Sequence, residues 1–269
     1  MSRNIDVRKK KEGEMDNKII QGLWIGKALS LMEQLSIKSF LAHGHDYHLY
    51  VYDQVRNVPA GCTIKDANEV LPAGQIFVYK RGSSKGSYAA FANLFRFKLL
   101  LEKGGIWSDL DVVCLKPFDF REPCLFSSEF DSNKKVRLNN TIIKVPVNSQ
   151  IMSDCYLDAK GLDREKLVWR QSGSDLIEKY VYQYKMESFI FSPDIFCPVN
   201  WWEWQEFLNN GFDADIIKKS YAIHLWHEMW RTLRLRNKIR RFIKGQGLTN
   251  KNALYNPRTL YGHLQKMYL

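Results

Sequence analysis

Two carboxylates two residues apart are the part of this chain best suited to chemistry. Asp109 and Asp111 stand in the run IWSDLDVVCLKP, between Trp107 and the apolar Val112 and Val113. In an extended backbone, side chains at i and i+2 point the same way, so the pair is expected to project together. Beside apolar neighbours the two charges repel and lose hydration unless something compensates them. A divalent cation compensates both, and hard oxygen ligands suit Mg²⁺ or Mn²⁺, above all where phosphate oxygens complete the shell. Taken alone, Asp-x-Asp more often marks two solvated turn residues. Here the pair follows an amphipathic segment, the stop Gly104-Gly105 and a short apolar run. That order places it at the carboxyl end of a strand in an α/β sheet, where ligands usually bind. Asn93 and Arg96, three apart on the preceding segment, share one helix face opposite an apolar one. Arg96 has the reach and the fork geometry for a diphosphate or a sugar hydroxyl. Its alternative is an ion pair with Glu102 or with Asp109 itself.

The elements that position these groups alternate between strand and helix. KIIQGLWI (18–25) reads as a buried first strand ending at Gly26. Residues 29–41 have helical spacing, with Leu31, Leu35 and Phe40 inward and Gly44 as the stop. YHLYVYD (47–53) reads as a second strand and residues 75–79 as a third. Tyr88, Phe91, Phe95 and Leu99 recur every three or four residues, which predicts a helix over 87–103 capped by the double glycine. Later strands are expected at 124–127, 140–145, 189–191 and 221–226, and helices at 149–160 and 174–185. The aromatic PVNWWEWQEF (198–207) is expected to pack on the domain or line a cleft. Such alternation implies an α/β domain with a largely parallel sheet. Asp175 and the pair Asn139–Asn140 are weaker candidates for acceptor or sugar contacts, with a helix N-terminal acid and a turn as their plainer roles.

Composition narrows the function classes. The chain has 269 residues, 45% hydrophobic and 13% aromatic, enough for a packed core in one large or two small domains. No apolar run approaches the length of a membrane span, and the N-terminus MSRNIDVRKKKEGEMDNK lacks the apolar stretch of a secretory signal. Residues 1–17 read as a disordered lead-in. The five cysteines are scattered without Cys-x-x-Cys spacing, which predicts isolated thiols in a reducing compartment. Forty Lys and Arg against 29 Asp and Glu give +11, and the excess is concentrated. The stretch RTLRLRNKIRRFIK (231–244) carries seven bases and no acid. If helical it is partly amphipathic, suited to an anionic membrane surface or an acidic partner; a solvated basic face is the alternative. No zinc-finger, RRM or helix-turn-helix pattern supports nucleic acid as a partner.

The run SYAAFANLFRFKLLLEKGGIWSDLDVVCLKPF (87–118) resembles the signature of the DXD-containing sugar transferases of glycosyltransferase family 32. That family includes bacterial capsular polysaccharide synthesis proteins and is distantly similar to the catalytic domains of clostridial glucosylating toxins. The opening IIQGLWIG (19–26), its spacing to FLAHGHDYHLYVYD (40–53), and AIHLWHEMW (222–230) follow in the family's order. The resemblance implies a GT-A-like, single Rossmann-type nucleotide-binding domain over 18–230. Its central sheet would be mixed and mainly parallel, with C-terminal helical additions that include a basic, helical extension at 231–269. It implies transfer of a sugar from a nucleoside diphosphate sugar to an acceptor hydroxyl with retention, in surface polysaccharide or glycolipid assembly. It assigns Mn²⁺ or Mg²⁺ to Asp109, Asp111 and His224, with Asp109 also near the ribose. Arg96 would hold the donor's sugar or diphosphate, and Trp226 would lie near the leaving group. Leu23, Trp24 and Ile25 would cradle the base. Asn93 stands where many members have Asp, so the donor-sugar contact there would come from an amide. Without the family, His224 on an apolar strand would read as a satisfied core residue; His227 and Glu228 are left facing acceptor or solvent.

Two other classes compete. A metal-dependent phosphohydrolase or nucleotidyltransferase would use the same acids, although no GxxxxGK[ST] phosphate loop occurs. A non-catalytic carbohydrate-binding or membrane-docking protein would use the Trp-rich 201–204 stretch and the basic one. For the transferase, the expected partners are the nucleotide sugar and a glycan or lipid-linked acceptor. The expected location is cytoplasmic, peripheral at the inner face of the membrane.

Overall fold

The structure is a computed structural model that describes residues 18–230 and 250–269. The expected disordered lead-in and the basic stretch 231–244 lie outside the described residues. In chain order the elements are β1 (Ile19–Trp24), α1 (Leu31–Ala42), β2 (Asp46–Val51), β3 (Thr63–Asp66), α2 (Ala89–Lys103), β4 (Gly105–Ser108) and β5 (Val112–Cys114). There follow β6 (Leu125–Phe130), β7 (Val136–Val145), α3 (Gln150–Gly161), α4 (Ser174–Gln183), the short α5 (Pro193–Phe196) and α6 (Asp215–Lys219), β8 (Ala222–His224) and α7 (Leu260–Tyr268).

Six strands form one sheet in the order β3-β2-β1-β4-β7-β6, and β5 and β8 form a separate pair. The strands β3, β2, β1 and β4 run parallel, while β7 and β6 add antiparallel. The sheet is therefore mixed and mainly parallel, as the strand–helix alternation predicts. After β1 the chain builds β2 and β3 to one side, then returns through α2 to lay β4 on the other. This reversal is a topological switch point, and such points open a crevice at the strands' carboxyl ends. β1 pairs with β2 as far as Trp24 but with β4 only at Ile20 and Gln21. The two strands part beyond those residues, so Trp24 and the chain after Ser108 flank the gap.

Alternation along β1 and β4 divides the core between the two sheet faces. Ile20 and Ile106 join Leu35 and Phe40 on the α1 side, whereas Leu23 and Trp107 join Phe91, Phe95 and Ile177 on the α2–α4 side. Helix α1 begins with a capping box: Ser30 accepts from Met32 N–H and Glu33 reaches back to Ser30 N–H at 2.7 Å. Helix α2 buries Phe91, Phe95 and Leu99 completely, and each Phe so buried stabilises by roughly 1.5–3 kcal/mol. Tyr88, expected on that face, instead sits at the N-cap and is exposed. The helix stops at Gly104, with φ +62°, whose N–H donates to Leu100 O. A Cβ there would lie 2.5 Å from Val147 N, so only glycine lets β4 start so abruptly.

Several expectations are corrected. Residues 75–79 are not a strand: Ala73–Gln75 is a 3₁₀ turn, and the third strand is Thr63–Asp66. That edge strand is largely exposed and polar, so it lacks the hydrophobic pattern that marks a buried strand. Near 189–191 lies the 3₁₀ turn Glu187–Phe189 with a single parallel bridge from Ile190 to Phe126. The strand expected over 221–226 shortens to β8 and pairs with β5 outside the main sheet. The aromatic 198–207 stretch falls mostly in the 3₁₀ helix Trp201–Leu208, with Trp204 and Phe207 in the core. Residues 250–269, expected as part of an extension, pack into the same domain. Leu260, Tyr261 and Leu264 are buried in the α1-side core, and Trp230 meets Tyr261 at 5.0 Å. Among the described residues no helix is long and apolar enough to cross a membrane.

Candidate active site

Asp109 and Asp111 sit in a tight turn between β4 and β5, not in extended backbone as the i, i+2 argument assumed. Val112 N–H donates back to Asp109 O at 3.3 Å, and Asp109 N–H is bound by Thr141 O at 3.0 Å. The turn follows from β5 leaving the main sheet to pair with β8, which sets Val112 opposite His224. Leu225 N–H closes on Asp111 O at 2.8 Å. The side chains still converge: Asp109, Asp111 and His224 each offer a ligand atom within 4.8 Å of the others'. Two carboxylates and an imidazole in that space fit a divalent cation, and the nitrogen donor suits Mn²⁺ better than Mg²⁺.

Each aspartate is anchored through one oxygen. Asp109 Oδ1 receives Trp107 Nε1 at 2.9 Å and Arg96 Nη2 at 2.9 Å. Asp111 Oδ2 receives the His227 backbone N–H at 2.9 Å and lies 3.3 Å from His224 Nε2. The other oxygen of each has no hydrogen-bond partner among the described residues. His224 is buried; its Nδ1 lies 3.4 Å from Thr141 Oγ1 and its ring lies 3.9 Å from that of Trp226. Burial raises the Asp111 carboxyl, but the charge and hydrogen bond of His224 and the His227 amide overcome it, leaving Asp111 well below the usual carboxylate range. Burial lowers His224, and the Asp111 charge more than reverses this, holding it well above its ordinary value. Asp109 is raised, by burial first and by Asp111, with Arg96 opposing. The turn therefore presents two inequivalent acids.

Arg96 is 4% exposed, and its guanidinium lies 4.8 Å from the Trp107 ring centre. It is spent on Asp109 and on the carbonyl of Asn140. The ion-pair alternative from the sequence is therefore the arrangement present, and Arg96 braces the acidic turn. Asn93 is also buried: its Nδ2 donates to Ser172 Oγ at 3.2 Å and its Oδ1 accepts from Asn140 Nδ2 at 2.7 Å. Ser174 Oγ donates to Asn140 Oδ1 at 3.3 Å. Gly173 lies over this chain of amides; a Cβ there would meet Asn93 at 2.5 Å and Asn140 at 2.6 Å. Trp226, expected as an N–H donor near a leaving group, donates instead to Val199 O at 2.8 Å, with its backbone at φ +57°. Its ring packs on His224, so its effect on the cluster is steric. Asp175 pairs with Arg170 at 3.0 Å, in a separate network with Glu129.

Across the crevice Leu23 is buried, and Trp24 and Ile25 are half-buried. The Trp24 indole N–H is buried with no partner among the described residues. Trp24 ends β1 on the side of the gap opposite the chain after Ser108. Lys251, from the chain's far end, lies 5.0 Å from the Trp24 ring centre and 2.8 Å from Glu33 Oε1. Burial and then the Lys251 charge lower His227. No pattern signals Lys251, because only the packing of α7 brings it there.

Residues 30–131 match the family model described as glycosyltransferase sugar-binding region containing DXD motif. Residues 166–243 match the alpha 1,4-glycosyltransferase conserved region. The first spans Asn93, Arg96, Asp109 and Asp111, and the second spans His224 and Trp226. Among solved structures, the PaToxG glycosyltransferase is 16% identical, with 93% of this chain and 87% of that chain covered and a TM-score of 0.47. A transferase mutant is 12% identical, with 66% and 93% covered and a TM-score of 0.44. No curated protein matches the chain.

Proposed function

We propose that the chain is a DXD-containing glycosyltransferase, a reading supported by the two matched regions, and that its donor is a nucleoside diphosphate sugar bound at the β1–β4 crevice. In this reading Asp109, Asp111 and His224 hold a divalent cation, Mn²⁺ by preference. The observation that carries it is the convergence of three ligand atoms at a switch point. When bound, that cation supplies Lewis-acid stabilisation to the departing diphosphate.

The chain's own residues do the rest. Arg96 and Trp107 fix Asp109 Oδ1, which leaves Oδ2 for the donor side. The His227 amide fixes Asp111 in the same way. Both carboxylates are thus oriented before ligand arrives, so little reorganisation accompanies the reaction. Trp24 offers an aromatic face for the base at the end of β1. The sugar lies towards the amide chain of Asn93 and Asn140. Transfer breaks the bond from the anomeric carbon to the diphosphate oxygen, which keeps the electron pair. The acceptor oxygen bonds to that carbon, and its proton passes to the released diphosphate. We favour attack on the same face, with retention; the likeness of residues 166–243 to an alpha 1,4-glycosyltransferase region supports an α-linked product, which retention gives from an α-linked donor. The acceptor is a glycan or lipid-linked saccharide, and the basic 231–244 stretch supports delivery at an anionic membrane surface.

The test is a panel of UDP- and GDP-sugars with Mn²⁺, screened by thermal shift and then for nucleoside diphosphate release with an acceptor. One donor should raise the melting temperature and yield diphosphate. Release of inorganic phosphate or nucleoside monophosphate without sugar transfer would overturn the reading. Asp111→Ala should abolish metal-dependent turnover while retaining the fold; normal turnover of that variant in chelator removes the cation from the mechanism.

A further inference from the structure

With His224 engaged as a neutral ligand of the proposed cation, the donor site described so far has carboxylates in excess. Asp109 and Asp111 line the turn, and among the described residues the one guanidinium beside them, Arg96, is buried and already paired with Asp109. A nucleoside diphosphate brings further negative charge to the same crevice. A bound cation offsets part of it, and the remainder requires a positive group able to follow the phosphates.

Lys251 meets that need. Its ammonium lies over Trp24 at 5.0 Å, and Trp24 ends β1 at the gap whose other wall is the chain after Ser108. The Lys251 side chain is 28% exposed, while its partner Glu33 is 3% exposed. A lysine ammonium has three donors on a flexible stem, and Glu33 Oε1 is the one hydrogen-bond acceptor it has among the described residues. The backbone needs no help from this side chain. Lys251 O accepts from Met32 N–H at 3.2 Å, Asn252 Oδ1 accepts from Leu31 N–H at 3.3 Å, and α7 anchors the segment through the core. The head group is thus free to change partners while its Cα stays fixed at the start of α1.

We infer that Lys251 is a diphosphate-binding residue of the donor site, so that the segment 250–269 completes a site whose other parts lie on β1, the β4–β5 turn and β8. This deepens the nucleotide-sugar reading and rests on it. Glu33 is the resting partner, and the ammonium turns to the phosphates when the base takes the Trp24 face.

The experiment compares UDP and GDP with uridine and guanosine in the presence of Mn²⁺, by titration calorimetry on the full chain. Lys251→Met should weaken the bound diphosphate by about tenfold or more, the loss expected for a charge-assisted contact, and the nucleoside by less than twofold. Lys251→Arg should stay within about threefold of wild type for both, since it keeps the charge. Because Lys251→Met strands the buried Glu33, the double variant Lys251→Met/Glu33→Gln is measured beside it and should show the same selective loss. Diphosphate binding unchanged in both methionine variants, or equal losses for diphosphate and nucleoside, would overturn the assignment and leave Lys251 as a partner for Glu33 alone. A wild-type chain that binds neither diphosphate overturns the donor reading itself, and this assignment with it.

Discussion

At the scale of single residues, Arg96 is the case where packing changes the prediction. From spacing alone it points at a donor phosphate; in the fold it is a buried brace on Asp109. Outer partners of metal ligands typically govern affinity by about 10–100-fold. Arg96→Met should therefore weaken Mn²⁺ binding by about that factor even without nucleotide, read by electron paramagnetic resonance of free Mn²⁺. A variant with unchanged Mn²⁺ affinity and a raised donor KM would return Arg96 to the phosphate. Asp109, Asp111, His224, Arg96 and Asn93 were all visible in the sequence as polar groups in apolar surroundings. What each contacts was not. The amide chain from Asn93 through Asn140 to Ser174, the turn of Trp226 towards Val199 and the arrival of Lys251 depend on residues tens to hundreds of positions apart. Local pattern carries no information about such pairs.

At the scale of elements, the stop between α2 and β4 is the hinge of the design. Gly104 combines φ +62° with ψ −159°, a region essentially confined to glycine, and its Cβ position is blocked by Val147 N at 2.5 Å. Such a conformation costs a non-glycine residue about 1–3 kcal/mol before the clash is counted. Gly104→Ala should destabilise by at least that amount in urea unfolding. Because β4 carries Asp109 on its end, the same variant should loosen Mn²⁺ binding. Loss of stability with unchanged metal affinity would show that the turn is positioned by β5 and β8 instead. The double glycine and the buried strands were legible because their signals are local: a helix stop, or a run of apolar residues. The strand β3 was missed because an exposed edge needs no apolar pattern. The break between β4 and β5 is not legible because the aspartates read as extended backbone at the carboxyl end of one strand, while pairing with β8 draws β5 out of the sheet.

At the scale of the whole molecule, the chain's end closes on its beginning. Helix α7 packs on α1 and on the 201–208 turn, and Leu264 lies fully buried there. Leu264→Ala should cost about 2–5 kcal/mol and lower one shared unfolding midpoint, since both faces of the sheet belong to a single cooperative unit. Two separated transitions in circular dichroism and tryptophan fluorescence would mark the C-terminal segment as an independent layer. The same closure bears on where the enzyme works. Trp230 is buried at one end of the stretch 231–249, and Tyr255, shortly after its other end, meets the Trp230 ring at 6.3 Å. The described residues on either side of the stretch therefore meet in one aromatic cluster, next to the segment that carries Lys251. Seven bases in 231–244 attract an anionic leaflet by about 1 kcal/mol each at the surface. Co-sedimentation with vesicles containing phosphatidylserine should accordingly be strong at low salt, fall as salt screens the charge, and largely vanish when the seven are replaced by glutamine. Equal binding to neutral and anionic vesicles would detach the basic stretch from membrane delivery and leave the acceptor to be found in solution.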